Sequence, residues 1–185
     1  MKLKHFFLIA LVSSVFMSCG GDPVPKPKAM LRLDYPVQAY RSMQSGCPFT
    51  FDFNRMADSD LQGGCNMVLD YKPMKGSIYL TYKPVEGNLR ELLTDAQKLS
   101  YEHAVKADNI LEQPYVNQQD RVFGMFYEVK GDAASQSQFY VTDSLNHFVT
   151  GSLYFYAKPN YDSIFPAAIY LQKDIRRIME SLRWQ

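Results

Sequence analysis

The chain has 185 residues, 46% hydrophobic and 14% aromatic, enough for one domain with its own core. Its 20 Lys and Arg nearly balance 19 Asp and Glu, and no stretch concentrates the basic residues. That balance removes the electrostatic footprint of a phosphate-tracking surface, so nucleic acid is not an expected partner.

Residues 1–18 read as an export signal. Lys2 and Lys4 precede an uncharged, mostly apolar run from Phe6 to Phe16, and Ser18 supplies a small residue at the cut. The run falls short of the roughly 20 apolar residues that span a bilayer as a helix. Cys19 follows at once, which points to a bacterial lipoprotein acylated at its new N-terminus, with plain secretion as the alternative. Phe16 and Met17 stand where a strict lipobox carries Leu and a small residue. Without Lys2 and Lys4, 18 basic side chains face 19 acidic ones.

From Cys19 to Ala29 the chain contains Gly20, Gly21, Pro23, Pro25 and Pro27 and almost nothing apolar. Alternating prolines favour an extended tether, roughly 30 Å long at about 3.1 Å per residue. A terminus with no spacer role is the alternative. Residues 30–185 then form a single globular domain.

Leu31, Leu33 and Tyr35 alternate with polar residues up to Pro36, the pattern of a short edge strand. Phe49, Phe51 and Phe53 share one face of the next strand, with Thr50, Asp52 and Asn54 on the solvent side. A polar loop is expected over Asp58–Gly64, then strands over Asn66–Tyr71 and Ser77–Tyr82 around a turn at Lys72–Gly76. With Cys19 acylated, Cys47 and Cys65 are the remaining cysteines, and an oxidising compartment makes a disulfide their expected state. A metal site lacks ligands, since only His103 and His147 remain beyond the signal and no paired-ligand spacing occurs.

The period then changes from 2 to 3.6. Leu89, Leu92, Leu93, Ala96, Leu99, His103 and Ala107 share one side of an amphipathic helix, opposite Arg90, Glu91, Lys98 and Glu102. Asn88 followed by Glu91 predicts a capping box at its start. Strands follow near Ile110–Val116, Arg121–Val129, Gln138–Thr142 and Phe148–Ala157, joined by turns short enough for antiparallel neighbours. Phe123, Met125, Tyr127 and Val129 on one face, with Val122 and Phe126 on the other, predict a central strand covered twice. A last helix after Pro159 and Asn160 places Ala168, Leu171, Ile175, Ile178 and Leu182 at helical spacing. Asp162 or Ser163 is its expected cap, with Pro166 in the first turn. The order predicts an α+β fold: a largely antiparallel sheet flanked by two main helices, an α/β/α sandwich.

Motifs of known catalysis are missing, so the chain is expected not to be an enzyme and to need no cofactor. His103 lies on the apolar side of its helix, where a core role outweighs that of a general base. His147 beside Asp143 and Ser144 occupies one turn, where a nucleophilic triad rarely converges. Tyr71-Lys72-Pro73 and Tyr82-Lys83-Pro84 each read as a strand end stopped by proline. Read as function, Tyr71, Lys72, Tyr82, Lys83, Tyr154 and Tyr156 form a candidate interaction surface for a protein or glycan.

Several strings carry a family likeness: Leu31-Arg32-Leu33-Asp34-Tyr35-Pro36, Cys47-Pro48-Phe49, the run from Lys75 to Val85, Lys106-Ala107-Asp108, Gln138 to Ser144, and Pro159 to Ser163. Over residues 30 to 184 the chain resembles GldD, the gliding-motility-associated lipoproteins of Bacteroidetes. The resemblance implies a cell-envelope lipoprotein whose partners are envelope proteins of gliding machinery, tied to type IX secretion. It supplies no catalytic residues. The element order is also similar to the PsbP-like fold, an analogy of order alone. Gly20-Gly21-Asp22 lacks the acidic cluster of a surface-export signal, which favours a periplasm-facing anchor.

Overall fold

The computed structural model describes residues 34–102, 107–156 and 161–185. The expected signal, Cys19, the tether, Leu31–Leu33 and His103 lie outside the described residues. Asp34 and Tyr35 belong to no strand, and Tyr35 instead packs against Tyr170, 5.1 Å between ring centroids.

Three short strands come first: β1 (Tyr40–Ser42), β2 (Phe49–Thr50) and β3 (Asp52–Asn54). Phe49, Phe51 and Phe53 are all buried, as their alternation predicts. Asn54 departs from that pattern and is buried too.

A seven-stranded antiparallel sheet forms the body. Its strands are β4 (Asp58–Leu61), β5 (Met67–Tyr71), β6 (Gly76–Pro84), β7 (Ala107–Asn117), β8 (Val122–Gly131), β9 (Ser135–Thr142) and β10 (His147–Phe155). Their spatial order is β4-β5-β6-β10-β9-β8-β7. The expected loop at Asp58–Gly64 is therefore largely strand. β4 pairs with β5 from Asp58↔Asp70 to Leu61↔Met67, and all four of its residues are exposed. An edge strand with solvent on its outer side needs no apolar alternation, so its polar sequence concealed it.

The sheet is two meanders sewn together by one distant pairing, β6 against β10, running from His147↔Pro84 to Phe155↔Gly76. β6 continues through Lys83 and Pro84, so Tyr82-Lys83-Pro84 does not end a strand. Tyr71-Lys72-Pro73 does, because Lys72–Met74 turns into a short 3-10 helix. Nor is β8 central: it lies second from the edge, while β9 has all eight residues buried. Burial follows strand order and cover, which a strand's own composition does not encode.

Two helices cover the two faces. α1 (Leu89–Glu102) buries Leu92 and Ala96 against Tyr127, Tyr140 and Phe148. The amides of Glu91 and Leu92 donate to the Asn88 carbonyl, whereas the Asn88 side-chain oxygen accepts from the Glu86 amide, so no capping box forms. Ala107, expected on this helix, opens β7 instead. α2 (Tyr161–Ser181) buries Leu171, Ile175 and Ile178 against the opposite face, with Leu182 just beyond its end. It begins before Asp162 and Ser163, so neither residue caps it, and Pro166 falls in the second turn. A cap is supplied from afar, since the Tyr161 amide donates to Asp132 at 2.8 Å. Finally β11 (Arg183–Trp184) pairs with β2, tying the C-terminus to the first buried phenylalanines.

The expected α+β sandwich is thus present. Cys47 and Cys65 form the disulfide, with Cα atoms 5.7 Å apart, and it joins the approaches to β2 and β5.

Candidate functional site

The path of α1 decides which part of the sheet stays open. The chain leaves β6 and must reach β7, four strand spacings away, or roughly 19 Å at about 4.8 Å per strand. A helix of 14 residues spans about 21 Å, so α1 bridges that gap across β10, β9 and β8. Among the described residues, the same face over β4, β5 and β6 receives no helix.

Strand register assembles what lies there. Asp60, Val68 and Tyr79 form one cross-strand row, and Asp58, Asp70, Ser77 and Tyr154 form the next. Asp58, Asp60, Val68, Asp70 and Tyr79, together with Lys72 and Tyr156, line a cleft of about 410 Å³, and Ser77 and Tyr154 lie beside it in the same row. Tyr79 meets Tyr154 edge to face, 5.7 Å between centroids. Tyr79 is 38% exposed and Tyr156 61%, far more than aromatic rings in the core. Ser77 Oγ donates to Asp70 Oδ1 at 2.8 Å and is in close contact with the Tyr156 hydroxyl. The Tyr156 hydroxyl, followed by burial, pushes the Tyr79 pKa upward. Lys72 pairs with Asp58 at 2.8 Å, which holds the Asp58 carboxyl below its usual range. Three carboxylates against one ammonium give the cleft an acidic rim around an aromatic floor.

Of the six residues expected to form a surface, Lys72, Tyr154 and Tyr156 converge here. Tyr71 does not: it faces the other way, fully buried beneath α2. Tyr82 also faces the α2 side, stacking on Phe49 and donating to or accepting from His147 Nδ1 at 3.0 Å. Lys83 belongs to the neighbouring crevice under α1, with Leu92 and Asp95. Tyr79, Asp58 and Asp70 were missed by sequence reasoning. The signal was available for Tyr79, which alternates with Ile78 and Leu80 and so had to face the opposite side.

His147 stacks on Trp184 at 5.2 Å, and the indole N–H of Trp184 donates to the Arg121 carbonyl. Asp143 does not reach the imidazole as a triad member. Its Oδ1 accepts the amides of Leu145, Asn146 and His147, which shapes the turn. Burial raises the Asp143 pKa, and those amides more than reverse the rise, leaving it low.

A second polar constellation lies in the core. Asp174 is completely buried on α2. Its oxygens accept from Gln38 Nε2, the Tyr40 hydroxyl and Asn54 Nδ2, each at 2.9 Å. Burial first, and then this carboxylate, raises the Tyr71 hydroxyl's pKa, yet the hydroxyl has no hydrogen bond of ordinary geometry among the described residues. Burial lifts the Asp174 pKa, and the hydrogen bonds oppose it without cancelling it. Because Gln38 and Tyr40 precede the sheet, this carboxylate fastens the entering chain to the last helix. Among the described residues no group of three or more His, Cys, Asp or Glu can hold a metal ion. Nor is any described helix long and apolar enough to cross a membrane.

Fold and site together define the class: an α+β sandwich domain with one helix on each face and an open, aromatic, acid-rimmed sheet quadrant. The family model for the gliding motility lipoprotein GldD matches residues 20–184, and the chain belongs to that family. No curated protein matches the chain. Family membership makes it a lipoprotein associated with gliding motility.

Proposed function

We propose that this chain is a non-enzymatic accessory protein of the cell envelope, tethered by an acyl group on Cys19 and working through protein contacts at the Tyr79–Tyr156 cleft. Residues 1–18 direct export, residues 19–29 space the domain from the lipid, and the domain faces the periplasm. Its partners belong to the gliding machinery and the type IX secretion apparatus coupled to it. One observation carries this reading: among the described residues of a lipoprotein of a motility family, no helix covers one sheet quadrant, where exposed tyrosines are ringed by carboxylates. Tyrosine is enriched at interfaces because it combines a large apolar area with a polar tip.

Cross-linking in native envelopes, followed by purification and mass spectrometry, tests the reading. Wild type is expected to recover components of the gliding or secretion machinery, and Tyr79→Ala with Tyr156→Ala to lose them. Equal recovery by both, or recovery of none, would count against the cleft. Cys19→Ser is expected to abolish the acylated N-terminal peptide and release the domain from membranes. The concave, tyrosine-lined cleft also suits a saccharide stacked on the rings. A thermal shift with envelope oligosaccharides that is lost in Tyr79→Ala would favour that second reading.

A further inference from the structure

A different cleft lies on the α2 side of the sheet, between the first turns of α2 and strands β8 and β9. Its volume is about 210 Å³, space for roughly seven waters at ~30 Å³ each, or a solute of similar size. Glu128 and Ser137 are cross-strand partners and form its floor, while Tyr161 and Phe165 form one wall, their rings edge to face at 5.4 Å.

Two features of this cleft bear on what it could bind. The Ser137 hydroxyl is buried, with the residue 1% exposed, and has no hydrogen-bond partner. An unsatisfied buried hydroxyl is costly to hold, and a polar ligand group placed at the floor relieves that cost. Among the described residues the surroundings are also negative. The Tyr161 pKa is raised by burial first and then by the charges of Glu128 and Asp108. Asp132 adds a third carboxylate at the Tyr161 amide. Among the described residues Lys130 faces them, 3.8 Å from Glu128 but largely exposed, and Gln113 Nε2 donates weakly to Glu128 at 3.5 Å. A half-buried carboxylate with such loose partners, beside two aromatic rings, matches a compact organic cation better than an anion or a neutral sugar.

We propose that this cleft binds a small organic ammonium ion with no attached phosphate. The ammonium contacts the Glu128 carboxylate and the Tyr161 and Phe165 rings, displacing Lys130 toward solvent. An attached phosphate is excluded because Asp108, Glu128 and Asp132 repel it.

Titration of the folded domain, followed by NMR of ring and methyl resonances, tests this with choline, phosphocholine and the neutral isostere 3,3-dimethyl-1-butanol. Choline is expected to shift Tyr161 and Phe165 saturably, the isostere to leave them unmoved, and phosphocholine to bind more weakly. Glu128→Gln should weaken choline roughly fivefold or more, the scale of one partly desolvated cation contact. Phe165→Leu, which keeps the apolar packing, should weaken it as well. The assignment is overturned by any of four results: no saturable shift, an equal response to the isostere, phosphocholine binding as tightly as choline, or unchanged affinity in both variants. The wild-type comparison of choline with its isostere decides the matter even if a variant fails to fold.

Discussion

Asn54 on β3 donates its side-chain amide to Asp174 on α2 across 2.9 Å, 120 residues apart in the chain and sealed from water. The carboxylate faces neutral donors at short range, not a bonded cation, so its charge is held by hydrogen bonds alone. Asp174→Ala leaves the Tyr40 hydroxyl without its acceptor and the amides of Gln38 and Asn54 with Tyr170 alone. The expected loss is about 3 kcal/mol, within the range for breaking a buried charged network. Urea denaturation at pH 7 measures it, and a loss below about 1 kcal/mol, the scale of a single neutral hydrogen bond, would contradict the network reading.

The same residue sets a pH dependence. Its folded-state pKa is raised, so between the unfolded value near 3.8 and the higher folded value the native state holds the extra proton. Stability contributed by Asp174 therefore increases as pH falls through that window. Asp174→Asn removes this increment. The difference in unfolding free energy between wild type and Asp174→Asn should shift in favour of wild type as pH drops from 7 toward 4.

Asp143 behaves in the opposite sense. Its folded pKa is lowered by the three turn amides, so its contribution is present above about pH 3.8 and is lost as pH falls through the folded value. Asp143→Ala is expected to cost about 1–2 kcal/mol at pH 7, by loss of charge-assisted turn bonds. That penalty should shrink as pH falls below 3.8. A penalty independent of pH would show that the side chain acts by shape alone.

Reduction of the Cys47–Cys65 bridge frees a loop closed across 18 positions. The chain-entropy model puts the loss at about 3 kcal/mol. Cys47→Ser with Cys65→Ser should lower the melting temperature of the isolated domain, and dithiothreitol should lower that of wild type to a similar value. No change on reduction would mean that the bridge adds nothing to native stability.

Gly124 stands opposite Val141 in the β8–β9 ladder, and a methyl group there would sit 1.9 Å from the Tyr140 carbonyl oxygen. Backbone atoms in a hydrogen-bonded ladder yield less readily than side-chain tips. Gly124→Ala is expected to cost at least about 3 kcal/mol, at the upper end for overpacking. Circular dichroism during thermal unfolding reads it directly.

Much of this architecture was legible locally because periodicity reports burial one element at a time. Met67, Leu69 and Tyr71 alternate inward, and Leu171, Ile175 and Ile178 repeat at helical spacing, so their strand and helix followed from pattern alone. Asp174 falls on that same helical stripe, three residues after Leu171 and four before Ile178, a visible sign of a buried acid. What it binds was not visible, because Gln38, Tyr40 and Asn54 come from distant segments.

The candidate cleft shows the same division. Tyr154 and Tyr156 share a strand parity and were expected on one surface, and so they are. Tyr71 and Tyr82 repeat the same tripeptide motif, yet both turn toward α2. The pairing of β6 with β10 determined which tyrosines became neighbours, and no local pattern records that pairing.

By itself, the sequence determined the fold class, the pairing of two cysteines and the faces of both helices, since these depend on residues close in the chain or few enough to have one solution. Only the tertiary structure decided that β8 is not central, that Asp58–Leu61 is an edge strand, and that no described helix covers one sheet quadrant. Those outcomes depend on the route of a single 14-residue helix over strands assembled from both halves of the chain, and long-range packing leaves no periodic trace in the residues it brings together.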